Sequence, residues 1–234
     1  MGISKRGIAM ATVIESASPL LNGDKLTRDE FLRIWEEHPE IKFAELIRGI
    51  VYMPSPLTLE HGEKAGNMGL FLGTYAAHTE GVKHAHNVTT YMGEDAPQPD
   101  VNLRILPEYG GVTKKRGKYL SGAPELISEV CVTSSVYDLH QKLAVYEEAG
   151  VQEYLAVLMR EQEIRWHRLT KRGYQLLGPA GDNLWKSRVF PGLWLDGKAL
   201  LAGDSAKMMA ALQRGLQSPE HEAFVNKLAK KKTT

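Results

Sequence analysis

Apolar positions along this chain follow two periods, the three-to-four spacing of buried helix faces and the alternating or continuous runs of strands. Thr27 with Glu30 three residues on forms a capping box. Phe31, Leu32, Ile34 and Trp35 then supply one face of a short helix that ends near Pro39 and is expected to lie across a sheet. Glu45-Leu46-Ile47 and Ile50-Val51-Tyr52-Met53 flank Arg48-Gly49 and read as a hairpin, closed off by Pro54 and Pro56. From Thr58 to Thr79 the stripe His61, Ala65, Met68, Leu72 and Tyr75 predicts a longer helix. A second stripe on it, Gly62, Gly66, Gly69 and Gly73, costs roughly 1 kcal/mol per glycine relative to alanine, so it predicts close approach of the sheet or a partner backbone, or else a broken helix.

Strands are expected over Lys83–Tyr91 and Pro99–Leu106, the second opening at a proline, where a strand tolerates one. A glycine-rich basic loop, Pro107–Ala123, carries Lys114-Lys115-Arg116-Gly117-Lys118. Glu125–Val132 is an apolar run broken by Ser128 and Glu129, the pattern of a strand buried on both faces. A helix over Val136–Ala149 presents Val136, Leu139, Leu143 and Tyr146 on one side and stops at Gly150. Glu153–Met159 and Glu163–Leu169 form a hairpin, Tyr174–Leu177 adds a short strand, and Phe190–Leu195 forms a last apolar ridge. Strands with a crossover helix argue an α/β domain with a mixed sheet over residues 27–202. It is preceded by a flexible N-terminal tail, 1–26, and followed by a polar, basic helical tail, 203–234.

Composition narrows the class without naming it. Hydrophobic residues at 43%, charged residues at 24% and a net charge of +1 describe a globular chain of no membrane-spanning character, in which a local basic patch would matter more than the sum. The apolar stretch after Lys5-Arg6 is too short for a signal peptide, and a single cysteine, Cys131, excludes an intramolecular disulfide; both fit the cytoplasm.

The candidate chemistry lies between Gln98 and Tyr154. Asp100 sits just inside one strand and Glu129 inside the next, so neighbouring strands can bring two carboxylates to one cation. Mg²⁺ suits that design, because it keeps several waters and is commonly bound by one or two carboxylates plus substrate phosphate. Lys142, on the rim of the following helix beside Tyr146, can reach the strand end and neutralise charge that grows in a phosphoryl-transfer transition state. Plainer readings stand beside these: Asp100 capping a turn, Glu129 paired with a base, Lys142 paired with Asp138 four residues earlier. Glu45 could add a third acid or be a solvated strand residue, and His61 could touch phosphate or metal or simply pack. Lys114, Lys115, Arg116 and Lys118 are candidates to grip a phosphate backbone, or form an ordinary solvated loop.

The order Glu45-Leu46-Ile47-Arg48-Gly49, Pro54-Ser55-Pro56 with His61, Gln98-Pro99-Asp100, Glu129-Val130, Asp138, Lys142, Tyr146 and Gly150-Val151-Gln152-Glu153-Tyr154 resembles the Uma-type restriction endonuclease family. That family is a branch of the restriction-endonuclease-like, PD-(D/E)XK superfamily. The resemblance runs from Thr27 to Leu201. It implies a mixed β-sheet flanked by helices, with Asp100 and Glu129 as Mg²⁺ (or Mn²⁺) ligands, Lys142 as the displaced catalytic lysine and Glu45 as an accessory acid. Three positions depart from the pattern: Cys131 stands where the superfamily places its lysine, Val132-Thr133-Ser134 where the family has a Ser-Pro-Ser turn, and Leu155 where it has tryptophan. The resemblance implies an endonuclease acting on nucleic acid, DNA before RNA. The rivals are a catalytically inactive nucleic-acid- or protein-binding module on the same fold, and a structural partner protein that forms a homodimer through the glycine face.

Overall fold

The structure, a computed structural model, describes residues 19–53, 58–131 and 136–232. The Pro54-Ser55-Pro56 and Val132-Thr133-Ser134 stretches and most of the expected N-terminal tail lie outside the described residues. The chain opens with helix α1 (Arg28–Glu37), whose capping box is present as expected: Thr27 Oγ1 accepts from Glu30 N, and the Glu30 carboxylate accepts from Thr27 N. A hairpin of β1 (Glu45–Ile47) and β2 (Ile50–Tyr52) follows. Arg48 and Gly49 turn it with φ of 55° and 74°, the left-handed pair that a two-residue turn between twisted strands demands. Next come α2 (Leu59–Ala77), capped by Thr58, then β3 (Val82–His86), β4 (Thr90–Tyr91) and β5 (Val101–Ile105).

The segment expected as a basic loop is instead a second hairpin, β6 (Lys114–Arg116) and β7 (Tyr119–Ser121), turned at Gly117. With all three residues of β6 exposed it has no apolar alternation to read, and its register is set by β7 pairing in parallel with β4. Strand β8 (Leu126–Cys131) leads to α3 (Val136–Ala149), and then β9 (Glu153–Leu158), β10 (Glu163–Thr170) and β11 (Gly173–Leu177) follow as an antiparallel meander. β12 (Trp185–Lys186) and β13 (Trp194–Leu195) form a short ribbon before α4 (Gly197–Ala202), α5 (Ser205–Leu216) and α6 (Pro219–Lys231).

The main sheet has the order β11-β10-β9-β8-β5-β3, and β8 pairs with β9 in parallel while every other pair is antiparallel. A parallel neighbour needs a crossover, and α3 supplies it. Gly150, with φ of 87°, ends α3 and lets Val151 N bond back to Tyr146 O at 2.9 Å. Being central explains why the first five residues of β8 are buried.

Alternation along β8 sorts two cores. Leu126 and Val130 join the larger one, with Met68, Leu72 and Tyr75 of α2 and Trp166 of β10. Ile127 joins the other, with Val145 and Tyr146 of α3 and Tyr154 of β9. The residues from 203 onward, expected as a polar tail, bury Met208, Leu212, Phe224 and Leu228 in the larger core. The polar impression came from the outer faces of two amphipathic helices. Nor does α1 lie across the main sheet: Phe31 and Trp35 pack on Leu46, Val51, Tyr91 and Ala96, over the two small sheets. The glycine stripe of α2 divides in two. A Cβ on Gly69 or Gly73 would meet the rings of His86 and His84 on β3 at 2.2 Å and 3.1 Å, whereas Gly62 and Gly66 face open space. Cys131, expected as a buried core thiol, is half-buried.

Candidate active site

Register places the two carboxylates. Val101 pairs with Ser128, so the residue before β5, Asp100, falls beside Glu129 on the face that α3 covers. They are tied reciprocally: Val130 N donates to Asp100 Oδ2 at 2.8 Å, and Asp100 N faces Glu129 Oε2 at 3.4 Å, a long contact. Pro99, which has no N–H to donate, stands immediately before this pairing.

α3 brings the ammonium. Lys142 Nζ lies 3.0 Å from Glu129 Oε1 and 3.0 Å from Glu45 Oε2, bridging the central strand and the β1–β2 hairpin. One helical turn on, the buried Tyr146 hydroxyl donates to the same Glu129 Oε1 at 2.7 Å. The Lys142 pairing with Asp138 falls on a side chain outside the described residues, as do the apolar positions Val136 and Leu139. Glu45 is no solvated strand residue: its Oε1 accepts from Gln98 N at 2.6 Å. Gln98 Nε2 in turn reaches Thr89 Oγ1 at 3.2 Å. A second tie holds the hairpin to α3, where Tyr52 OH donates to Gln141 Oε1 at 2.8 Å.

His61, in the first turn of α2, stands with Nε2 at 3.6 Å from Asp100 Oδ2, and it is buried with no hydrogen-bond partner for Nδ1 among the described residues. Asp100, Glu129, Lys142, Glu45 and His61 therefore converge from five elements separated by up to ninety-seven positions in sequence. Lys114, Lys115, Arg116 and Lys118 do not join them; they sit on the β6–β7 hairpin, beside α1. Two members escaped sequence reasoning. Gln98 acts through its backbone N–H, which no residue type reveals, whereas Tyr146 had a usable signal, an amphipathic side chain four positions past Lys142 on the same helix face. Glu153, in the same motif, points to the other face, where Ser187 Oγ, Trp166 Nε1 and two backbone N–H groups satisfy it.

The cluster carries three carboxylates against one ammonium and one imidazole. Burial pushes Glu129 up to about 7, with Lys142 opposing the shift and Asp100 and Glu45 adding to it. Burial works against the Lys142 ammonium, but Glu129 and Glu45 outweigh it and hold the group protonated. Asp100 raises His61 through hydrogen bonding and charge against the opposing effect of burial. Both Glu129 Oε1 contacts are donors from α3, so Oε2, which meets only Asp100 N at 3.4 Å, and Asp100 Oδ1 are the oxygens least engaged by donors among the described residues. Hard oxygens of this kind, in a pocket short of positive charge, fit a small divalent cation. Among the described residues no group of three or more His, Cys, Asp and Glu side chains forms a complete metal site, so protein ligation there would stop at two carboxylates.

The Uma2 family model, described as putative restriction endonuclease, matches residues 28–198. A solved structure, a putative nuclease belonging to DUF820 from Anabaena variabilis ATCC 29413, superposes with a TM-score of 0.60 at 15% identity, covering 76% of this chain and 98% of that one. At that identity the likeness speaks for the fold. No curated protein matches the chain. Since the family model spans most of the sequence, including all five converging residues, the chain belongs to the Uma2 family.

Proposed function

We propose that this protein is an Mg²⁺-dependent endonuclease that hydrolyses phosphodiester bonds in nucleic acid, with DNA as the expected substrate. The observation that carries the reading is the Asp100–Glu129 pair on adjacent strands, with Lys142 bridging Glu129 to Glu45. Asp100 and Glu129 would hold the cation, and Mn²⁺ suits the same oxygen donors. Bound there, it would supply positive charge to the phosphoryl oxygens.

The protein's own groups do the rest. An ammonium has three N–H donors; Lys142 gives two to Glu129 and Glu45, which leaves one for the attacking water or a phosphate oxygen. Tyr146 fixes the Glu129 carboxylate, so that Oε2 faces Asp100. Glu45 keeps Lys142 charged and is itself held by Gln98 N. His61 places a second positive charge beside Asp100 when protonated.

The test is cleavage of supercoiled plasmid and of single-stranded oligonucleotides in Mg²⁺, Mn²⁺ or chelator. The parent should cut only with metal. Asp100→Ala should lose at least about 100-fold of that rate, and Lys142→Ala a comparable amount, as expected for groups that stabilise developing charge. Full activity in Asp100→Ala would sink the reading. The rival, a non-catalytic binding module on the same fold, is motivated by Val132-Thr133-Ser134 standing in place of the family's turn after Glu129 and by the net charge of +1. Salt-dependent DNA binding with no cutting in any metal would select it.

A further inference from the structure

We propose that the cleft between α1 and the β6–β7 hairpin is a second binding site, which takes an unpaired nucleotide of the substrate strand. The inference rests on the nuclease reading for its choice of ligand, and on a separate set of residues for its geometry. The cleft has a volume of about 440 Å³, with Leu32 and the exposed acids Asp29 and Glu36 of α1 on one wall and Arg116, Gly117 and Lys118 on the other. That lies within the roughly 300 to 1,000 Å³ common for small-ligand sites. Its floor is aromatic: Tyr91 and Tyr119 lie 5.5 Å apart, and Tyr119 is backed by Trp35 in a stacked pair at 6.4 Å.

Two guanidinium groups converge on that floor. Arg28 and Arg116 stand 5.9 Å and 5.4 Å from the centroid of the same Tyr91 ring. Like charges brought to one ring repel unless something anionic sits between them. Arg28 meets Gly93 O and the exposed carboxylates of Asp29 and Glu94, which water screens. Arg116 has no carboxylate within ion-pair distance among the described residues, and Lys118 adds a third cation at the rim, over the Tyr119 ring at 5.3 Å and paired with the exposed Glu36. Planar guanidinium forks suit phosphate oxygens, and tyrosine and arginine faces suit a nucleobase. Bases in a duplex hide their faces in the stack, so a nucleotide stacked on this floor must be unpaired.

The cleft is joined to the acid cluster by one short segment. Thr90 N bonds to Pro97 O at 2.9 Å, and the next residue, Gln98, anchors Glu45. Chain geometry therefore keeps Tyr91 within about 20 Å of Asp100. A strand cut at the acids could lie in the cleft with its displaced end.

The experiment is fluorescence anisotropy with the full chain in chelator, using a labelled oligothymidylate and a blunt hairpin duplex as probes. Arg116→Ala should bind the oligothymidylate about tenfold more weakly, with a salt slope shallower by about one, and bind the duplex like the parent. Arg116→Lys should recover the slope without the affinity, since it keeps the charge and loses the planar face. Unchanged binding of the oligothymidylate by Arg116→Ala, or equal losses on both probes, would overturn the assignment. Chelator removes cleavage from the readout. Arg116-dependent binding in a protein that cuts nothing would leave the cleft and remove the nuclease, whereas cutting without any Arg116 dependence would do the reverse.

Discussion

Glu129 is a carboxylate placed in the middle strand of a six-stranded sheet, where an ionised group is costly unless something compensates it. Lys142 and Tyr146 compensate in part, yet burial still holds its pKa near 7 in the metal-free protein, above the ordinary value of 4.5. A folded-state pKa raised in this way gives stability that is fully present below 4.5 and is lost as pH rises through about 7. Glu129→Gln keeps both acceptor contacts and removes the charge. It should therefore be more stable than the parent at pH 8 by about 1 to 3 kcal/mol, with no gain near pH 4, measured by urea unfolding in chelator. A Gln variant equal to or weaker than the parent at pH 8 would contradict this account of the site. Asp100 and Glu129 were legible as candidates because one follows a proline and the other interrupts an apolar run. That Lys142 would bridge Glu129 to Glu45 was not legible. A lysine with an aspartate four residues earlier has a local explanation, and only the fold brings in an acid from ninety-seven positions away.

At the scale of elements, what the chain shows in sequence depends on how burial patterns an element. α2 and α3 were readable because a buried face imposes helical periodicity, and β8 and β9 because burial on both faces leaves a continuous apolar run. The β6–β7 hairpin was not, since its first strand is exposed throughout and its second is held by pairing with β4. Glycines show the same dependence on context. Gly62 in α2 faces open space, so Gly62→Ala should stabilise the protein by about 0.5 to 1 kcal/mol through helix propensity. Gly215 in α5 lies against Gly192, where a Cβ would stand 2.1 Å from the Gly192 carbonyl oxygen. Backbone cannot swing aside as a side chain can, so Gly215→Ala should destabilise by about 2 kcal/mol or more. Chemical unfolding of the two variants checks the pair, and equal effects would show that packing at α5 is looser than described.

Across the whole molecule, the main sheet carries two cores with separate duties. The core under α2 draws on residues from Met68 to Leu228, so the helices after residue 203 belong to the fold. A chain ending at Ala202 should lose cooperative unfolding and expose apolar surface, read by dye binding and near-UV circular dichroism. An unchanged unfolding midpoint would show the last two helices to be dispensable. The core under α3 positions the candidate site, because Tyr146, Tyr154 and Ile127 fix α3 against the strand that carries Glu129. In sequence the C-terminal helices read as polar because their outer faces dominate the composition, and the acids stood out as candidates because they lie at or beside strand positions that a buried sheet ordinarily denies to charge. The claim that joins these scales is that Asp100 and Glu129 together bind one divalent cation. Calorimetric titration of Mn²⁺ into the parent and into Asp100→Ala tests it most directly. The account predicts one saturable site in the parent and its loss in the variant, and equal binding by both proteins, or none by the parent, would contradict it.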